Sequence, residues 1–126
     1  MSSRASQETQ QDHSSEGRRR DFSQWGFIYL GAGTEDPSQQ RAVIEHGGLR
    51  TTIVAVPDRA AAVAAAVDLV VGGAQSLELC GAFGPYDAAA VLEATGSRVP
   101  VGVATYGMES VPKLAALFAD EQPDGA

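Results

Sequence analysis

The sequence has little of what builds staples or metal cages. A single cysteine, Cys80, in 126 residues excludes an internal disulfide framework and any multi-cysteine metal cluster. Two histidines, His13 and His46, leave little material for a zinc site. No apolar run approaches the roughly 18–20 residues a transmembrane helix needs. Basic residues are scarce beside acidic ones, 9 against 16, and the net charge of −7 argues against a nucleic-acid surface. What is present is 44% apolar and 20% charged, an ordinary globular mixture. At 13.1 kDa it is enough for one domain and too little for two.

The charge is unevenly placed. Arg4, Arg18, Arg19 and Arg20 are balanced locally by Glu8, Asp12, Glu16 and Asp21, so the whole deficit falls after residue 22. The opening stretch is rich in Ser, Gln, Glu and Arg, with no aliphatic residue beyond Met1 and Ala5. Such a segment cannot bury enough surface to offset its ordering entropy. The expected organisation is a disordered arm over 1–22, one α/β domain over 23–120 and a disordered end over 121–126. The arm has no apolar h-region, hence no secretory signal, and the chain is read as cytoplasmic. The Arg18–Arg20 triplet is either a contact for an anionic partner or simply solvated.

From Trp25 onward the chain has a period. Four β-like segments, Phe27–Gly31, Thr51–Pro57, Ser76–Gly81 and Val101–Thr105, start about 24–25 residues apart, the length of a βα unit with short connections. Between them lie one-sided apolar stripes at helical spacing: Gln39, Ala42, Val43 and His46; Val63, Val67, Val70 and Val71; Ala88, Val91, Leu92 and Thr95; Val111, Leu114, Ala115 and Phe118. Gly47–Gly48, Gly72–Gly73 and Gly96 read as helix ends, where glycine takes a left-handed conformation without a Cβ penalty. Asp36–Pro37, Asp58, Gly84–Pro85 and Ser110 read as helix starts. Ile53-Val54-Ala55-Val56 is apolar without alternation, as in a parallel strand covered on both faces. The fold expected is α/β: a (βα)4 unit with a four-stranded, mainly parallel sheet flanked by helices, flavodoxin-like or half-barrel-like.

Four stretches carry a resemblance: Phe27-Ile28-Tyr29-Leu30-Gly31-Ala32-Gly33-Thr34, Ala42-Val43-Ile44-Glu45-His46-Gly47-Gly48, Glu78-Leu79-Cys80-Gly81-Ala82-Phe83-Gly84-Pro85 and Thr105-Tyr106-Gly107-Met108-Glu109-Ser110. Over about residues 26–118 the chain resembles a family of short proteins known only as a domain of unknown function, DUF6506. The resemblance implies no activity, so function has to be sought in geometry.

In an open parallel sheet, ligands bind in the crevice at the carboxyl ends of the strands. The loops expected there are Gly31–Asp36, Pro57–Asp58, Gly81–Tyr86 and Tyr106–Ser110. With strand order 2-1-3-4 the first and third of these flank the pocket; a closed 1-2-3-4 order completed by a second subunit is the alternative. Gly31-Ala32-Gly33-Thr34 invites a phosphate-loop reading. However, Asp36 stands where the dinucleotide fingerprint needs glycine, and no P-loop lysine follows. A plain tight turn with an Asp cap is the simpler reading.

Glu78 is the most informative residue. Between Leu77 and Leu79, a sheet covered on both faces would bury it, so it must be protonated, hydrogen-bonded or paired. The side-chain period of two puts Cys80 on the same face, nearer the crevice. A carboxylate with a raised pKa beside a thiol suits proton transfer; alternatively Glu78 pairs with Arg50, Lys113 or a Tyr hydroxyl and Cys80 is a small core hydrophobe. A Cys80–His46 dyad is excluded on geometry. His46 falls at the amino edge and Cys80 at the carboxyl edge, roughly 16 Å apart along a strand at about 3.3 Å per residue.

The candidate catalytic residues are therefore Glu78, Cys80 and Tyr106. Candidate ligand-binding residues are Gly31, Gly33, Thr34, Asp58, Gly81, Phe83, Gly84 and Glu109. A carboxylate-only Mg²⁺ site from Asp58 and Glu109 is conceivable, but nothing in the spacing demands it, so no metal or cofactor is expected. Phe83 is either a ligand wall or part of a subunit contact. Two functions follow: a small soluble protein that binds a small molecule at the carboxyl edge of its sheet, with isomerase or lyase action by general acid–base chemistry as its catalytic form, or a non-catalytic homo-oligomeric binding or interaction module. A homo-oligomer, most simply a dimer, is expected because a small sheet leaves two edges to protect and Trp25, Phe27 and Phe83 lie at element ends.

Overall fold

A computed structural model describes residues 22–119, so the expectations for the arm and for the carboxyl-terminal end lie outside the described residues. Five strands form one sheet: β1 (Gln24–Leu30), β2 (Arg41–His46), β3 (Leu49–Val56), β4 (Leu77–Leu79) and β5 (Val101–Val103). Helices α1 (Arg59–Val71) and α2 (Pro85–Ala94) follow β3 and β4, and a 3-10 turn at Met108–Ser110 leads into α3 (Val111–Leu117). The strand order is β2-β3-β1-β4-β5. The four strands read from the sequence stand in the 2-1-3-4 order and run parallel.

The departure lies between β1 and β3. Residues 41–46, expected on a helix, form the antiparallel edge strand β2, so the sheet has five strands rather than four. The Gly47–Gly48 pair, read as a helix end, is a two-residue hairpin turn between His46 and Leu49 with φ of +63° and +81°. Positive φ at both central residues is the type I′ geometry whose twist matches the flanking strands. Asp36–Pro37 starts no helix either; Asp36 accepts from the Ser38 N–H at 3.0 Å and the Ser38 hydroxyl at 2.8 Å. Side-chain-to-backbone bonds of this kind compete with a helical turn.

That exchange of helix for strand decides how the sheet is covered. Right-handed crossovers place a helix that travels left in strand order on one face, and helices that travel right on the other. The connection from β1 to β3 travels left, and it carries a strand instead of a helix. Both α1 and α2 travel right, touch each other and cover the same face. On that side sit the buried Ile28, Val54, Val56, Leu77 and Leu79. The opposite face, which the unbroken apolar run in β3 predicts to be covered, has no helix over it among the described residues. The register places Trp25, Phe27, Tyr29, Ala42, Ile44, Thr51, Ile53, Glu78 and Gly102 there.

α1 packs through a narrower face than the valine stripe suggested. Its buried residues are Ala62, Ala65, Ala66 and Leu69, whereas Val71 is exposed. At Leu69 the helix comes close to β1: a Cβ on Gly26 would lie 2.7 Å from Leu69 Cδ1, so the glycine makes room for this side chain. α2 behaves as read, burying Val91 and Thr95, and the Thr95 hydroxyl donates to Val91 O at 2.8 Å. Gly73 and Gly96 close α1 and α2 with positive φ. α3 buries no residue, and Val111, Leu117 and Phe118 are exposed.

Candidate functional site

The carboxyl edge of the sheet gathers the loops expected there, but it commits most of their polar groups to the fold itself. In the Gly31–Asp36 loop the Glu35 carboxylate folds back, accepting from Ala32 N–H at 2.5 Å and Gly33 N–H at 2.9 Å. These backbone bonds hold the Glu35 pKa below its ordinary value. Of the amides in this loop, that of Gly33 is thus served by a carboxylate of the chain, and that of Gly31 donates to Val56 O at 2.9 Å. Asp36 is also lowered, by the Ser38 hydroxyl and amide.

Asp58, another expected ligand contact, is the N-cap of α1 and accepts from Ala61 N–H at 2.8 Å. Gly84 is the N-cap of α2, with Pro85 in the first turn, and its N–H donates to Asp87 Oδ2 at 2.8 Å. Phe83 is 5% exposed and packs in the core, with one side lining the cleft beside α2. Arg59 closes over it, its guanidinium carbon 5.7 Å from the ring centre. Arg59 also donates to Ala82 O at 2.8 Å and pairs with Asp87 at 3.2 Å. It thereby ties the start of α1 to the β4–α2 loop. The sequence reading missed Arg59, and its only signal was a cation immediately after the Asp58 cap.

The candidate catalytic residues are positioned differently from one another. Glu78 lies mid-strand on the uncovered face and is exposed, not buried. Among the described residues it makes no hydrogen bond or ion pair; Arg50, one of its expected partners, pairs instead with Glu45 at 3.7 Å. Cys80 is half-buried beside the core, and its thiol accepts the Leu30 N–H at 3.4 Å, satisfying a backbone donor at the end of β1. Tyr106 lies over Gly81: a Cβ there would sit 2.7 Å from Tyr106 Cε1, so glycine is what lets the ring approach. The fold therefore brings Tyr106 to the residue after Cys80. Glu109 stays in the exposed loop near Gly107. His46 ends β2 opposite Leu49, at the amino edge, away from Cys80.

Concavity does not centre on this edge. An open depression of about 520 Å³ lies at the amino edge around the hairpin turn, lined by Ser23, Gln24, Glu45, His46 and Arg50 among others. An apolar cleft of about 480 Å³ runs between α2 and β5 and touches the carboxyl edge through Phe83, Gly84 and Thr105. Among the described residues no three His, Cys, Asp or Glu side chains converge as metal ligands. No helix among the described residues is long and apolar enough to cross a membrane.

The fold defines an α/β protein built on a mostly parallel five-stranded sheet with α1 and α2 on one face. Over residues 23–119 the chain matches the family of unknown function DUF6506, and it belongs to that family. No curated protein and no solved structure matches it.

Proposed function

We propose that this chain is a non-catalytic interaction module that assembles with further copies of itself, and that its contact surface is the uncovered face of the sheet. The observation that carries this is the apolar row Trp25, Phe27, Tyr29, Ile44 and Ile53, which no helix covers among the described residues. A contiguous apolar surface of this kind marks an interaction site in a soluble domain. The chain itself offers an occupant in α3 of a second copy, whose Val111, Leu117 and Phe118 are exposed. Lys113 on that helix engages no partner among the described residues, and neither does Glu78 in the middle of the face. One cation meeting one carboxylate over an apolar surface sets orientation more than affinity.

Light scattering tests the proposal. Wild type is expected to run above the 13.1 kDa of one chain. Tyr29→Glu, at a half-exposed position on the face, is expected to lower that mass while the circular dichroism spectrum stays unchanged. An unchanged mass in a folded Tyr29→Glu protein would overturn it.

The α2–β5 cleft supports a second reading, a small apolar ligand held beside the carboxyl edge. Its size falls within the roughly 300–1,000 Å³ of ligand pockets, and its lining of Ala88, Ala89, Leu92 and Val103 suits a hydrocarbon or aromatic group. Filling it with Leu92→Trp should abolish uptake of a fluorescent apolar probe. Acid–base catalysis by Glu78, with Cys80 and Tyr106 assisting, draws less support. That reading needs a buried Glu78, and the residue is exposed.

A further inference from the structure

We infer that β2 is a second assembly surface, pairing edge to edge with β2 of another copy in antiparallel register about Val43. This goes beyond the sheet-face reading, since it uses a different surface and stands on different observations.

β2 closes one end of the sheet, and all six of its residues are exposed. Ala55 N–H donates to Gln40 O at 2.9 Å. In an antiparallel ladder, hydrogen-bonded and non-bonded positions alternate. With Gln40 opposite Ala55, the amides of Ala42, Ile44 and His46 turn inward to β3. Those of Arg41, Val43 and Glu45 turn outward. Three N–H and three C=O groups therefore line an edge that has no strand beside it among the described residues.

Such edges are usually blunted by charge. Here the charges are arranged so that they complement themselves. Arg41, Val43 and Glu45 point to the helix side of the sheet, as their partners Val54, Thr52 and Arg50 show. A two-fold axis through Val43 sets Arg41 of one strand opposite Glu45 of the other, twice. Centring the axis on Arg41 or Glu45 instead sets like charges opposite each other, which destabilises a cross-strand pair. The neighbouring ion pairs extend the row. Arg41 reaches Asp68 at 3.9 Å and Glu45 reaches Arg50 at 3.7 Å. Across the axis the order becomes Asp68, Arg41, then Glu45 and Arg50 of the second copy, with signs alternating throughout. On the other side, Ile44 of each strand meets Ala42 of its partner. The two sheets become one of ten strands, and the six outward amide groups of each copy are satisfied.

The test uses the full chain and native mass spectrometry. Val43→Pro removes an outward N–H without touching the β2–β3 ladder, a position where an edge strand accepts proline. It is expected to halve the assembled mass while the dichroism spectrum stays native. Arg41→Glu alone and Glu45→Arg alone each bring like charges together across the axis, and each is expected to lose this pairing. Mixed in equal amounts they restore both opposite-charge contacts, so a complex with one chain of each kind is expected. Absence of that mixed complex, or a Val43→Pro protein of undiminished mass, would overturn the edge pairing. Failure of the sheet-face contact is read separately, from Tyr29→Glu: if that variant loses mass while the β2 variants do not, the face stands and the edge falls.

Discussion

Glu35 shows how a single side chain can pre-empt a site. Glycine-rich turns after a strand present amides that suit an anion, and here the anion is supplied from within, by Glu35 on Ala32 and Gly33. Because the folded pKa is lowered, this closure contributes fully above the ordinary carboxylate value of 4.5 and is lost as pH falls through the lower folded value. Amide exchange at Ala32 and Gly33 is therefore expected to be slow at neutral pH and to quicken in acid beyond the usual pH dependence. Glu35→Gln should remove the acid transition, and its persistence in that variant would assign it to another group. None of this was legible beforehand. The sequence shows that Glu35 and Asp36 repel a bound phosphate, but not that one of them bends back onto the loop.

At the scale of elements, the parallel strands and the helices α1 and α2 were legible because their signals are local. Asp58 and Gly84–Pro85 start the helices, Gly73 and Gly96 end them, and the strands recur at a regular spacing. The residues of β2 were misread because they fit two periods. Ala42, Val43 and His46 share a helical face, yet Ala42, Ile44 and His46 also share one side of a strand. Two glycines after His46 decide between these readings, since a two-residue turn between strands needs positive φ twice. Accordingly, Gly48→Ala, at φ +81°, is expected to cost about 1–2 kcal/mol, measured by urea unfolding. Gly47→Asn, at φ +63°, is expected to be nearly neutral, since asparagine is at home in that conformation. Equal costs at the two positions would contradict the turn geometry. Glu78 was misplaced for a related reason. Its burial was inferred from helices on both faces, and that inference failed once the first crossover proved to be a strand. The α1 face was misjudged because part of its contact with β1 is set by Gly26, far away in sequence, which makes room for Leu69.

For the whole molecule, the consequence is that the described residues form two layers, with one sheet face and two sheet edges open among them. A fold of this size buries a smaller share of its surface than a larger one, so the proposed association with other copies would add directly to stability. The melting temperature should then rise with protein concentration in wild type. In a protein carrying both Val43→Pro and Tyr29→Glu it should become independent of concentration. A concentration-independent wild-type melt would indicate a chain stable by itself.

The hairpin also bears on the order in which the chain acquires its structure. Arg41 finds Val54 across a two-residue turn, while Gly26 has to find Leu77 from beyond both the hairpin and α1. Local pairings form on the microsecond scale, and distant ones wait on the closure of long loops. The β2–β3 hairpin can therefore exist before the rest of the sheet, offering β3 as a ready edge on which β1 aligns. A strand that looks like a late addition to a parallel sheet is thus well placed to be its template.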